Sequence, residues 1–149
     1  MAKPDPAPSD YLNGLIKAFG DLWGDTVPWR EEVQPSGADF IFTPPDQPEL
    51  QVGAGPGCFV LFVGSASFEG DLPDLKAADW VMAICDSVAA GRICEKIKTN
   101  WIFEKRITIF ELKTRGIVQT VTHSAYGFAL GKASRASDHF APWPTRGTA

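Results

Sequence analysis

The stretch that follows Arg92 constrains the fold most strongly, because strand-like runs succeed one another there with only short breaks. Each run is rich in β-branched and aromatic residues, which favour strands. Lys113 to Gly116 has the composition of a hairpin loop, in which Gly116 can adopt a positive φ. Because a hairpin joins antiparallel neighbours, this half of the chain predicts a mostly antiparallel sheet. The predicted strands cover residues 93–97, 101–103, 107–112 and 117–122.

Two other segments have the apolar spacing of helices. In the first, Ser9 or Asp10 can cap the helix and Gly24 can end it. Its apolar stripe consists of Leu12, Leu15, Ile16, Phe19, Leu22 and Trp23. The second candidate covers residues 71–91, with Pro73 near its start and Gly91 at its end. A strand over residues 80–85 is the competing interpretation of that segment, although Ala and Asp are poor strand formers.

The rest of the first half is rich in turns. It predicts a short strand over residues 38–43, a flexible glycine loop over residues 53–57, and a buried strand over residues 58–63. We therefore expect an α+β fold: a single domain, mostly antiparallel sheet, with an N-terminal amphipathic helix and a second central helix. The predicted boundaries are a Pro-rich N-terminal arm over residues 1–8, the domain over residues 9–133, and a C-terminal arm over residues 134–149.

Charge is distributed very unevenly along the chain. Residues 1–91 carry 14 acidic and 4 basic side chains, a net of −10, whereas residues 92–149 carry 4 acidic and 10 basic, a net of +6. The overall charge of −4 hides this split. A chain with opposite charges in its two halves can dock head to tail, or can offer one basic face to an anionic partner.

Targeting signals and cysteines point to a reducing compartment. The N-terminus lacks the apolar region of a secretory signal. The longest uninterrupted apolar runs, such as residues 58–63, are far too short to span a membrane. The chain has three cysteines, an odd number, which favours free thiols over a disulfide framework. We expect a protein of the cytoplasm, or of a virion assembled there, without a membrane partner.

Patterns typical of chemistry are weak in this sequence. The glycines of residues 53–57 match neither the dinucleotide fingerprint nor the P-loop, because the third glycine comes too early and no Lys-Ser/Thr pair follows. Cys58 and His123 could form a nucleophile and a base, although nothing in the sequence places them together. No two of Cys58, Cys85, Cys94, His123 and His139 have the spacing of metal ligands. We therefore expect no catalytic residue, metal or cofactor.

The basic segment from Arg92 to Arg115 is the strongest functional signal. Its basic residues alternate with aromatics, a pattern that can bind single-stranded nucleic acid, but three glutamates interrupt it and the overall charge is negative. A salt-bridged contact with another subunit is the simpler interpretation. The residues predicted to bind a partner are Arg92, Lys96, Lys98, Trp101, Lys105, Arg106, Lys113 and Arg115.

Taken together, these features predict a non-enzymatic structural or interaction protein that forms homo-oligomers through charge-complementary faces and terminal arms. A phage tail or connector protein is one such role, suggested only by the coarse order of helices and strands. Two alternatives stay open. One is a small enzyme or ligand-binding domain with a pocket near Cys58 and His123, and the other is a single-stranded nucleic-acid-binding module.

Overall fold

The fold was analysed in a computed structural model that describes residues 6–35, 37–64, 66–99, 102–114, 117–128 and 135–145. Within those residues the chain forms two helices and nine strands: α1 (Pro8–Trp23), β1 (Trp29–Gln34), β2 (Gly37–Phe42), β3 (Leu50–Gly55), β4 (Cys58–Val63), β5 (Ala66–Asp71), α2 (Leu75–Ala89), β6 (Ile93–Thr99), β7 (Phe103–Thr114), β8 (Ile117–Phe128) and β9 (Arg135–His139). Sheet A has the order β1-β2-β3-β4-β5, and sheet B has the order β8-β7-β6-β9. All strand pairs are antiparallel, which confirms the predicted α+β class.

Helix α1 forms where its apolar spacing predicts it, but it begins differently. Ala7 occupies the N-cap without a side-chain hydrogen bond, and Pro8 begins the helix, so the predicted cap by Ser9 or Asp10 is wrong. Proline is well suited to the first helical position because its fixed φ is helical and its missing N–H would have no partner there.

The buried side of α1 packs against the inner face of sheet A. Leu12, Ile16 and Phe19 are buried as predicted. Leu22, by contrast, is 73% exposed, so its assignment to the stripe is wrong. Trp23, the last residue of the predicted stripe, is half-buried, with its ring centroid 6.4 Å from that of Phe19.

Sheet A includes a strand where the sequence predicts a glycine loop. Gly53 and Gly55 lie in β3, with Gly53 opposite Asp39 on one side and Val60 on the other. The loop prediction is therefore wrong for residues 53–55, and the chain turns only at residues 56–57, where Gly57 has a φ of 70°. Two further strands, β1 and β5, are missing from the sequence-based prediction because their residues are mostly polar and show no apolar run.

Helix α2 resolves the choice between helix and strand in favour of the helix. The Asp74 carboxylate accepts a hydrogen bond from the Ala77 N–H at 2.9 Å and so caps the first turn. At the other end Gly91 has a φ of 72°. The N–H groups of Gly91 and Arg92 donate to the carbonyls of Val88 and Ser87, the pattern of a Schellman motif, in which glycine is the favoured residue.

Sheet B consists of the long hairpin β7–β8 with two further strands, β6 and β9, on the β7 side of the hairpin. The predicted strand over residues 107–112 is part of a longer strand, β7, which begins at Phe103 and pairs with β8 along all 12 of its residues. Of the strand predicted over residues 101–103, only Phe103 is part of β7, and Ile102 lies in a bend. Trp101 and the predicted hairpin residues Arg115 and Gly116 lie outside the described residues. On its other side β7 pairs with β6, and β6 pairs with β9, which falls within the predicted C-terminal arm.

The two sheets and two helices share one hydrophobic core. Phe68 of β5 joins the layers, because its ring lies 5.8 Å from Trp80 of α2 and 5.5 Å from Phe110 of β7. Beyond β9, Trp143 is only 2% exposed and packs against Phe19 and Phe42. The division into one domain and two arms stays a prediction, but the segment around Trp143 contributes to the core.

Candidate functional sites: a basic face and an acidic face

The outward-facing side of sheet B carries a set of lysines that we call the basic face. It consists of Lys96, Lys98, Lys105 and Lys113, on alternate positions of β6 and β7. Side chains alternate between the two faces of a strand. Because Thr108, Phe110 and Leu112 are buried on the core side, the odd-numbered positions of β7 face outward. The structure therefore brings four of the eight predicted partner-binding residues onto one surface.

Like charges stand directly opposite one another on the basic face. Lys98 pairs with Lys105 across β6 and β7. Tyr126 ends this row on β8, with the Lys105 ammonium 5.6 Å from the centre of its ring. Of the two acidic residues of β7, only Glu111 lies on the basic face. It is six residues from Lys105 along the strand, which corresponds to about 20 Å, so it does not neutralise this row.

Two other predicted partner-binding residues, Arg106 and Arg92, do not lie on the basic face but form contacts within their own chain. Arg106 lies on the core side of sheet B, where its guanidinium is 3.0 Å from Glu104 and 3.8 Å from Glu95. The hydrogen bond to Glu104 raises the pKa of Arg106 above its ordinary value. Arg92 precedes β6, and its Nε donates to the Glu111 carbonyl at 3.3 Å. Both residues therefore satisfy groups of their own chain, while Trp101 and Arg115 lie outside the described residues.

The outward side of sheet A carries carboxylates, and we call it the acidic face. It consists of Glu32, Asp39, Glu69 and Asp71, which lie on the side of the sheet opposite to core residues such as Phe40 of β2 and Ala66 of β5. Arg30 shares this side of β1 and forms an ion pair with Glu32 at 3.3 Å. The charge split seen along the sequence thus becomes, in the fold, two oppositely charged sheet surfaces.

Asp39 lies over the middle of the acidic face. Gln34 and Gln51 each donate to its Oδ2 at 3.3 Å. Gly53, on the neighbouring strand, has no side chain, and a Cβ there would lie 2.3 Å from Asp39 Oδ1. The carboxylate therefore lies next to the backbone of Gly53 and is part of the lining of a groove of about 450 Å³, together with Gly55, Cys58 and Val60.

Cys58 and His123 do not form a pair in this fold. Cys58 is exposed on the outer side of β4 and lies opposite Asp71. The Nε2 of His123 accepts a hydrogen bond from the N–H of Ser67, which lies four residues from Asp71 along β5. Four residues of a strand span about 13 Å. A thiolate and an imidazole at that separation cannot exchange a proton directly.

The other two cysteines have different surroundings. Cys85 is buried in α2, and burial raises the pKa of its thiol. Cys94 is half-buried on β6. Among the described residues, no group of three or more His, Cys, Asp and Glu side chains is close enough to hold a metal ion.

Neither helix in the described part of the chain is long and apolar enough to cross a membrane. Comparisons with protein-family models, with curated proteins and with solved structures each found no match to this chain. The surfaces described above are therefore the basis for any functional conclusion.

Proposed function

We propose that this protein is a non-enzymatic structural protein that assembles head to tail, with the basic face of one copy docked on the acidic face of the next. The observation that carries the proposal is the row of Lys98 and Lys105, directly opposed across two strands with no carboxylate beside them on that face among the described residues. Like charges directly opposite in a sheet are destabilising. An acidic partner surface turns this cost into a favourable contact.

The partner surface is present on the same chain. The exposed Glu69 and Asp71 of the acidic face belong to sheet A, whereas the lysines belong to sheet B. A contact between the basic face of one copy and the acidic face of another therefore leaves one face of each copy open for a further copy. A contact between two different surfaces of identical chains is heterologous, and it generates rings or filaments. Both are common forms of structural assemblies, and a role in a phage virion would be one case.

The apolar content of the basic face supports a protein partner. Ile107 and Ile109 are half-buried between the lysines, and Phe103 is 54% exposed. Aromatic and aliphatic groups of this kind supply the area that a protein contact buries, while the surrounding charges steer the encounter and set the orientation.

Solution mass measured at two salt concentrations tests the proposal. Sedimentation at about 0.05 M and about 0.5 M salt should show oligomers that dissociate as salt rises, because exposed charges are screened over a shorter distance. The double change Lys98→Glu with Lys105→Glu should produce a folded monomer. The control Lys76→Glu, an exposed lysine on α2, should leave the oligomer intact. A wild-type protein that is monomeric at low salt would refute the proposal.

Single-stranded nucleic acid is a second candidate partner. It is favoured by Tyr126, which is 75% exposed beside Lys105 on the same face as Phe103. Exposed aromatics on a basic sheet can stack on bases while lysines contact phosphates. A labelled oligonucleotide titrated at low salt distinguishes the two candidates. Tight binding of the oligonucleotide by a monomer, lost in Tyr126→Ala, would refute the assembly proposal. Oligomers that do not bind the oligonucleotide would exclude nucleic acid as the partner.

A further inference from the structure

The groove on the acidic face has the chemistry of a site for one long cationic side chain. Its lining contains a single carboxylate, that of Asp39, and no basic residue. Most of the remaining lining is apolar or backbone, with Gly53, Gly55 and Val60 next to one another on β3 and β4. A lysine side chain has matching parts, since its four methylene groups pack on apolar surface while its ammonium ion needs a carboxylate.

The position of the Asp39 carboxylate is fixed before any partner binds. Two amide groups, from Gln34 and Gln51, donate to the same oxygen, Oδ2. The absence of a side chain at Gly53 leaves room for the other oxygen, Oδ1, next to the backbone of β3. A carboxylate held in place in this way loses little conformational freedom when it binds a cation, so more of the contact energy contributes to affinity.

We propose that this groove binds the Lys98 side chain of a second copy, and that this contact sets the register of the head-to-tail assembly. This inference rests on the proposed function, and it specifies one residue pair, Lys98 and Asp39, in the contact between copies. Lys98 is the better occupant than its neighbour Lys105, because Lys98 is exposed, whereas the Lys105 ammonium already lies against the Tyr126 ring. Binding to Asp39 would also relieve the repulsion between the two opposed lysines.

Cys58 provides a reporter for this contact, since its exposed thiol is part of the groove lining. In the wild-type protein at low salt, Cys58 should react with a thiol reagent several-fold more slowly than in the Lys98→Ala variant, because the bound lysine side chain blocks access to the thiol. Lys113→Ala, at the far end of β7, is the matched control and should leave the labelling rate of Cys58 at its wild-type value.

A second measurement does not depend on cysteine chemistry. Asp39→Asn keeps an oxygen that can accept from Gln34 and Gln51 but removes the charge, and it should raise the dissociation constant of the assembly about tenfold. Asp46→Asn is the control, because Asp46 is an exposed acid outside the groove and its positive φ of 56° suits asparagine.

The outcomes separate this inference from the proposed function. If the wild-type protein assembles while its Cys58 is labelled as fast as that of Lys98→Ala, and Asp39→Asn leaves the dissociation constant unchanged, the groove contact is wrong and the assembly proposal survives. If the wild-type protein does not assemble at all, both are refuted. Slow labelling of Cys58 in the wild-type assembly, together with a weakened Asp39→Asn assembly, is the result that we expect.

Discussion

Replacing Trp143 with alanine tests whether the segment after β9 belongs to the hydrophobic core. The indole ring lies 5.6 Å from Phe19, 5.7 Å from Trp23 and 5.9 Å from Phe42, measured between ring centroids, and it is 2% exposed. Truncation of a buried Trp costs about 3–5 kcal/mol, since the lost transfer energy and the remaining cavity add. The backbone N–H of Trp143 donates a hydrogen bond to the Ala89 carbonyl at 2.8 Å, and this bond should remain in the variant because the side chain does not take part in it.

Urea denaturation followed by circular dichroism measures this loss. For a chain of this length, about 3–5 kcal/mol corresponds to a fall in Tm of about 10 °C or more. Trp143→Phe should lose clearly less, because most of the aromatic volume remains, and Pro144→Ala, at an exposed neighbouring position, should change little. If Trp143→Ala unfolds at the same urea concentration as the wild type, this segment is not part of the core and our description of the core is wrong.

The remaining predictions concern α1, the end of α2 and the thiols. Phe19→Ala should lower the free energy of unfolding by about 3–5 kcal/mol, whereas Leu22→Ala, three residues away and exposed, should change it by less than about 0.5 kcal/mol in urea titrations. Gly91→Ala should be clearly destabilising in a thermal scan, because φ is 72° and the added Cβ would lie 2.5 Å from the backbone nitrogen of the segment after β9. In thiol labelling of the folded protein at high salt, where the copies are dissociated, Cys58 should react readily. Cys85 should react only after unfolding, because burial raises the pKa of its thiol and blocks access; fast labelling of Cys85 in the folded protein would contradict its placement.

The sequence predicts the helices well and sheet A poorly, for a physical reason. Helical spacing in α1 and α2 repeats over about four turns, so a single misplaced residue such as Leu22 does not obscure it. By contrast, β1 has only Trp29 and Val33 as large apolar residues, and its outward positions carry Arg30 and Glu32. A six-residue edge strand of this kind gains its structure from pairing with β2 rather than from its own composition.

Of the two candidate sites, the basic face could be predicted from the sequence, but the Asp39 groove could not. The lysines of the basic face follow from the charge pattern, because alternation along β6 and β7 places them on one side. The Asp39 groove could not be predicted, since it depends on the register that places Gly53 opposite Asp39 and on two amide donors from different strands. The one signal in the sequence was the density of glycines over residues 53–57, which is equally typical of a turn.

Mixing two variants that are each neutralised on one face tests the head-to-tail contact most directly. The first carries Lys98→Gln with Lys105→Gln, and the second carries Asp39→Asn with Glu69→Gln, so each retains one functional face. Each variant alone should sediment as a folded monomer at low salt. An equimolar mixture should form a complex of twice the monomer mass that grows no further, because the contact uses the acidic face of the first variant and the basic face of the second. Two folded variants that remain monomers in the mixture, under conditions where the wild-type protein assembles, would contradict the head-to-tail account.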